Sequence, residues 1–297
     1  MTGKPFPPDL REWVANNLPG LDEVTDVSWP RGSSQVWRVV AGPAAAFVKL
    51  SPTGLDFGRE VVGYTYAARI LADHEAPRLL AADPGLRAIM SSPLPGKVVR
   101  GLPLGREVEL RVHEDAGRLL HRWHDQSDPA SEQDREAVRA AMREQARGAA
   151  VCLENTAEHL SAEQRALVEA ASRELPELAE QLPLVYQHGD YSTRNWLWDA
   201  ESGHHGLIDF AMAHHGNAVE EFVWLCGAVW ATRPDLKAAY LAGYGRPLSG
   251  TEERLLRLLT VRLGVSYLNT GLVKQRGNLV ERGHLVLDRM THQYQYR

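Results

Sequence analysis

Gln187-His188-Gly189-Asp190-Tyr191-Ser192-Thr193-Arg194-Asn195 is the densest run of chemically capable side chains in the sequence. Trp196-Leu197-Trp198 follows it, and after a polar turn comes Gly206-Leu207-Ile208-Asp209-Phe210. The pattern reads as loop, strand, turn, strand, with two carboxylates and a carboxamide at the ends of short apolar strands, where they can converge without competing for the core. Such a set suits phosphoryl transfer, in which the migrating group passes through a loose transition state that mainly has to be aligned and neutralised. Asp190 is then the group that orients, and can deprotonate, an attacking hydroxyl. Asn195 and Asp209 offer the oxygen ligands that Mg2+, a hard cation, prefers over imidazole or thiolate.

A second constellation lies upstream. Lys49 ends the apolar run Ala45-Ala46-Phe47-Val48, and Glu60 follows on a segment with helical spacing. The sequence holds 28 Arg and only 5 Lys, which makes a lysine at the end of an apolar strand harder to dismiss as background. Its compact ammonium can meet phosphate oxygens as a point charge while Glu60 steadies it; taken alone, the two could equally form an ordinary surface pair worth ~0–1 kcal/mol.

The elements that must position these groups change character near residue 95. Before it, β-type runs at Val24 to Trp29, Val36 to Val40, Ala45 to Leu50 and Arg87 to Ser91 are separated by turn residues. One helix is expected over about Asp56 to Asp73, where Phe57, Val61, Tyr64, Ala68 and Leu71 recur at helical spacing. Pro93-Leu94-Pro95-Gly96 cannot continue a central strand and suits a connector, so residues 1–95 and 96–297 are expected to form two lobes. The second part reads as mostly helical, with capping-box starts at Ser131/Asp134, Ser161/Gln164 and Ser249/Glu252, and an apolar helix over Phe222 to Ala231. The expected fold class is therefore α+β: an antiparallel sheet with one helix, followed by a helical region.

HGDxxxxN followed by IDF resembles the aminoglycoside phosphotransferase and choline kinase superfamily, whose fold is protein-kinase-like. In that family the first aspartate faces the acceptor hydroxyl, and the asparagine and second aspartate hold magnesium, which the resemblance implies for Asp190, Asn195 and Asp209. The order of Lys49 and Glu60 matches the kinase ion pair. Leu120-His121-Arg122-Trp123-His124-Asp125 resembles the LHxLH segment of these enzymes, so the likeness runs from about Val24 to Gly243. Trp29-Pro30-Arg31-Gly32-Ser33-Ser34-Gln35 stands where a phosphate-covering loop belongs, and Gly32, Ser33 and Ser34 are expected to approach the phosphates. Met90, Ser91 and Ser92 look like the hinge that meets the purine.

The resemblance implies ATP or GTP as co-substrate and a hydroxylated, cationic or neutral small molecule as acceptor. An aminoglycoside or other antibiotic-like compound comes first, choline, an amino alcohol or a sugar next, and a nucleotide-binding pseudokinase is the rival without catalysis. Glu220 and Glu221 either favour a helix dipole or line a pocket for a cationic acceptor. His188 is expected to organise the loop, and His204-His205 and His214-His215 to stay solvated.

Composition agrees. The formal charge of −5 provides no strongly basic domain for nucleic acid. The longest apolar stretch, Phe222 to Ala231, falls far short of the roughly 20 residues that cross a bilayer. Cys152 and Cys226 form no framework, and the N-terminus has no signal-peptide pattern, so a reducing, cytoplasmic setting is expected.

Overall fold

The computed structural model describes residues 4–29 and 35–292. The chain forms two compact units, each assembled from separate stretches: Met1–Pro103 with His188–His214, and Leu104–Gln187 with His215–Arg297.

The first unit opens with helix α1 (Pro8–Asn17) and is built on an antiparallel sheet of β1 (Glu23–Asp26), β2 (Val36–Ala41), β3 (Ala44–Leu50), β4 (Leu79–Asp83) and β5 (Ala88–Ser91). Its order is β1-β2-β3-β5-β4. Because side chains alternate faces along a strand, each strand serves two environments. Trp37, Val39, Ala46, Val48, Ala88 and Met90 turn to one face, where Leu10 and Val14 of α1 complete a buried core. Val36, Phe47, Lys49, Ile89 and Ser91 turn to the other, and the register aligns them, Val36 opposite Lys49 and Phe47 opposite Ser91. Neither α1 nor β4 is anticipated above; β4 has the weak run Leu-Leu-Ala-Ala-Asp and joins the sheet through an irregular register at Leu79/Ala81.

Helix α2 (Gly54–Ile70) starts where Thr53 accepts a hydrogen bond from the Asp56 amide. It buries Glu60, Gly63, Tyr64 and Ala67, spaced at one helical face. A second, three-stranded sheet joins β6 (Lys97–Val98), β8 (Trp196–Asp199) and β9 (His204–Leu207). The β8–β9 hairpin closes through a turn in which the Gly203 amide donates to the Asp199 carbonyl and Gly203 takes a left-handed φ of 71°. His204 is exposed and stacks on His74, whereas His205 is buried against Trp196, against the expectation that both stay solvated.

The second unit is helical: α3 (Arg106–Asp125), α4 (Glu132–Thr156), α5 (Ala162–Glu180), α7 (Pro234–Tyr244), α8 (Gly250–Val273) and α9 (Gly277–His292), with the two-stranded sheet of β7 (Leu184–Gln187) and β10 (His214–Asn217). All three expected capping boxes form, at Ser131, Ser161 and Ser249. The apolar run near Phe222 is not one regular helix. It passes from a 3-10 turn (Ala218–Phe222) through the short α6 (Val223–Leu225) to a π turn (Cys226–Trp230) whose Gly227 carbonyl is capped by Arg289 at 2.7 Å. Among the described residues, no helix is long and apolar enough to cross a membrane.

Candidate active site

The two motifs of the sequence meet inside the first unit. Register brings Asn195 and Asp209 to the same end of the β8–β9 hairpin: Trp196 pairs with Leu207, and the Ile208 amide donates to the Asn195 carbonyl at 3.0 Å. Phe210, the next residue, packs edge-on to Tyr64 of α2 and so close to Gly63 that an added Cβ there would lie 2.4 Å from the Phe210 Cβ. This contact keeps Asp209 beside the buried face of α2. Asp209 itself has φ of 70°, a left-handed conformation that costs a non-glycine residue ~1–2 kcal/mol and persists because its neighbours are pinned on both sides.

Lys49 links the sites. Its Nζ donates to Glu60 Oε1 at 2.9 Å and to Asp209 Oδ1 at 2.7 Å. The Glu60 side chain is 1% exposed and that of Asp209 42% exposed, so the ammonium bridges a buried anchor and an accessible carboxylate. Burial opposes the Lys49 charge, yet the two carboxylates outweigh it and hold the ammonium's pKa above its ordinary range. Burial likewise opposes ionisation of Asp209, and Lys49 overcomes it and keeps that carboxyl below its usual value. For Glu60, burial wins against Lys49 and lifts the carboxyl to about 7. Its second oxygen, Oε2, is buried without a hydrogen-bond donor among the described residues, which is the local reason the charge is costly.

Asp190 sits in a tight loop in which the Ser192 amide donates to the Asp190 carbonyl and the Asn195 amide to the Ser192 carbonyl. Gly189 precedes it with φ of 80°, and a Cβ there would stand 2.0 Å from the Met212 carbonyl oxygen, so the loop requires glycine. His188 ties the loop to the Asp209 strand. The Asp190 amide donates to its Nδ1 at 3.2 Å, which makes Nε2 the protonated nitrogen, donating to the Ile208 carbonyl at 3.0 Å. The imidazole is fully buried and structural, as the sequence suggests.

Asn195 Nδ2 donates to the Asp190 carbonyl at 2.9 Å and to Asp190 Oδ2 at 2.8 Å, which orients the carboxamide with its oxygen available for other ligands. Asn195 and Asp209 both line one cavity, and a carboxamide oxygen with a carboxylate is the kind of partial all-oxygen shell that Mg2+ completes with further oxygen ligands. The donor chemistry fits the cation.

Lys49, Glu60, Asn195 and Asp209 all line one cavity of about 400 Å³ within this unit. Its walls are apolar: Val36, Phe47, Ile89, Leu94, Leu197 and Ile208, with the half-exposed Trp29 at one side. A mostly apolar cavity with a few charged and polar groups on its wall is the usual composition of a small-molecule site. Ser91 and Ser92 line it; Met90 does not, because alternation along β5 turns it into the core with Val48 and Trp37. Gly32, Ser33 and Ser34 lie outside the described residues.

Glu220 and Glu221 stand in the second unit. Glu220 Oε1 accepts from the Asn217 amide at 2.8 Å and from Gln187 Nε2 at 3.2 Å, and Glu221 is buried with Oε2 3.5 Å from His124 Nε2. Both carboxylates are engaged by their own unit. Tyr64, Trp29 and Arg194 are additional site residues to which the sequence gives no chemical role. Only Arg194, inside the motif at four residues from Asp190, carries a local signal that would have found it.

No curated protein matches the chain. Its fold is similar to that of the gentamicin complex of APH(2")-IIa, at 15% identity over 98% of this chain and 99% of that chain, with a TM-score of 0.67. It is similar to ADP-bound aminoglycoside phosphotransferase APH(2'')-Ib, at 14% identity over 97% and 99% of the two chains with a TM-score of 0.67. Macrolide 2'-phosphotransferase MphH from Brachybacterium faecium shares 16% identity over 94% of this chain and 97% of that chain, with a TM-score of 0.59. The protein-kinase-like fold is thereby shown. The model of the phosphotransferase enzyme family, APH, matches residues 28–258, and the chain belongs to that family.

Proposed function

We infer that this protein transfers the γ-phosphoryl group of ATP or GTP to a hydroxyl of a small molecule. The observation that carries the reading is the joining of Lys49, Glu60 and Asp209 in one ion-pair chain on the cavity that Asn195 also lines. In this reading the apolar part of the cavity, with Ser91 and Ser92, receives the purine, and Lys49 meets the phosphates. Asn195 Oδ1 and Asp209 hold the Mg2+, which supplies charge neutralisation for the phosphate oxygens when bound. Asp190 accepts the hydrogen bond of the acceptor hydroxyl and takes its proton as the new ester bond forms.

The acceptor proposed is an aminoglycoside or another hydroxylated, antibiotic-like compound. The structures similar in fold support this class, since they include gentamicin, streptomycin and kanamycin complexes of aminoglycoside phosphotransferases and a macrolide phosphotransferase. ADP and GDP in other such structures support the nucleotide. Residues 1–95 then act as the nucleotide-binding lobe and 96–297 as the lobe of the acceptor, in a cytoplasmic enzyme.

The test is a panel of aminoglycosides, macrolides, choline, amino alcohols and sugars incubated with protein, magnesium and either ATP or GTP, with each product read by mass. A gain of one phosphoryl group that disappears with Asp190→Ala establishes the reaction. Confirmed nucleotide binding with no product across the panel would remove the catalytic reading.

A further inference from the structure

Asp190 has two carboxylate oxygens, and the structure treats them differently. Arg194 Nε donates to Oδ2 at 2.9 Å, Arg194 Nη2 donates to the same atom, and Asn195 Nδ2 donates to it at 2.8 Å. Oδ1 accepts no hydrogen bond from the described residues. A carboxylate held by a single donor rotates about its Cβ–Cγ bond and presents either oxygen; three converging N–H groups on one oxygen remove that freedom.

The plain alternative is a helix-type pair at i,i+4 spacing, which is worth little when solvated. Two observations set this pair apart. The side chains are 18% and 31% exposed, so water screens neither fully. The loop bearing them is closed by its own backbone hydrogen bonds, and Asn195 Nδ2 spans from the Asp190 carbonyl to the same carboxylate oxygen that Arg194 grips. A carboxamide that also lends its oxygen to a cation is a weak clamp by itself, and the guanidinium fork supplies what it lacks.

The geometry points to Arg194 as a positioning residue for phosphoryl transfer: together with Asn195 it occupies Oδ2 of Asp190, sets the plane of the carboxylate and leaves Oδ1 as the one oxygen that meets the acceptor hydroxyl. The inference rests on the function inferred for Asp190 above. In the step it serves, the acceptor oxygen forms a bond to the γ-phosphorus and the bond from that phosphorus to its bridging oxygen breaks. The electron pair leaves with the nucleoside diphosphate, and the acceptor proton passes to Oδ1. Arg194 acts through Asp190 and takes no part in nucleotide binding.

A double-mutant cycle in steady-state turnover decides the matter, using the full chain with Mg2+-ATP and reading both phosphate release to water and transfer to whichever acceptor the panel yields. Arg194→Met is expected to lower kcat by about tenfold to a hundredfold, the scale of a misplaced reacting group, while the KM for nucleotide stays within about twofold. Arg194→Lys should recover part of the loss, and millimolar guanidinium should restore Arg194→Met but leave wild type unchanged. Added to Asp190→Asn, Arg194→Met should cost nothing further. Wild-type kcat in Arg194→Met, a loss that multiplies with that of Asp190→Asn, or a loss confined to nucleotide KM would each overturn the assignment while leaving the kinase reading intact. A wild-type protein that binds nucleotide but neither releases phosphate nor modifies an acceptor would end the kinase reading and this inference with it.

Discussion

Lys49 Nζ lies 2.7 Å from Asp209 Oδ1, although 160 residues separate them in the chain. The contact exists because β3 turns Lys49 onto the cavity face of the sheet while Phe210 wedges the Asp209 segment against α2. It joins the strand-borne cation to the end of the β8–β9 hairpin, so an ion pair ties these two segments of the cavity wall together.

Replacing Lys49 tests that coupling. Lys49→Ala removes charge-assisted hydrogen bonds worth about 1.5–3 kcal/mol each, and it leaves Asp209 facing Glu60 without the intervening ammonium. Nucleotide Kd, measured by calorimetry, should rise by about tenfold to a hundredfold. Unchanged affinity would remove Lys49 from the phosphate site.

Asp209→Ala should separate the metal from the rest of the nucleotide. Wild type is expected to bind nucleotide more tightly with magnesium than with EDTA, and in the variant that difference should collapse. Equal magnesium dependence in the two proteins would place the cation elsewhere.

Gly189→Ala should damage the loop through its backbone. The added Cβ would meet the Met212 carbonyl at 2.0 Å and hold alanine at φ of 80°. The left-handed conformation alone costs ~1–2 kcal/mol, and the clash adds to it. A lower thermal midpoint with sharply reduced turnover is expected; a variant with wild-type stability and activity would show that the loop tolerates the move.

The helical unit carries a pH-dependent term. His113 on α3 is 3% exposed, and burial drops its pKa from 6.5 to about 4, with Glu109, Arg233 and Asp235 as the charges around it. The folded protein therefore binds this proton more weakly than the unfolded chain. The contribution is complete above about pH 6.5 and is lost as pH falls toward 4, by on the order of 3 kcal/mol at most. Urea unfolding at intervals across that window should show a smaller acid loss for His113→Gln than for wild type; parallel curves would point to other groups.

Several parts of this site are legible in the linear order of residues because they are local. The step from Asp190 to Asn195 sits within one loop, Lys49 stands one residue from the end of its own strand, and Glu60 falls on its own helix, so alternation and helical spacing suffice to nominate them. The bounds of β2, β3 and β5 follow to within a residue for the same reason, whereas the run expected over Val24 to Trp29 ends at Asp26; the three capping boxes follow too, since their partners are three residues apart.

What the chain order leaves open is decided by packing between distant segments. The face that each residue of β5 takes depends on how that strand pairs with β3, which sends Met90 to the core and Ser91 to the cavity. The sequence by itself determined the chemistry available, namely carboxylates, a carboxamide and a lysine in kinase order. Tertiary structure alone decided which atoms remain open: Glu220 and Glu221 are drawn into hydrogen bonds and burial, and Arg194 closes one oxygen of Asp190. The reason is physical, since desolvation and hydrogen-bond saturation belong to the surroundings of a side chain and are not written in its identity.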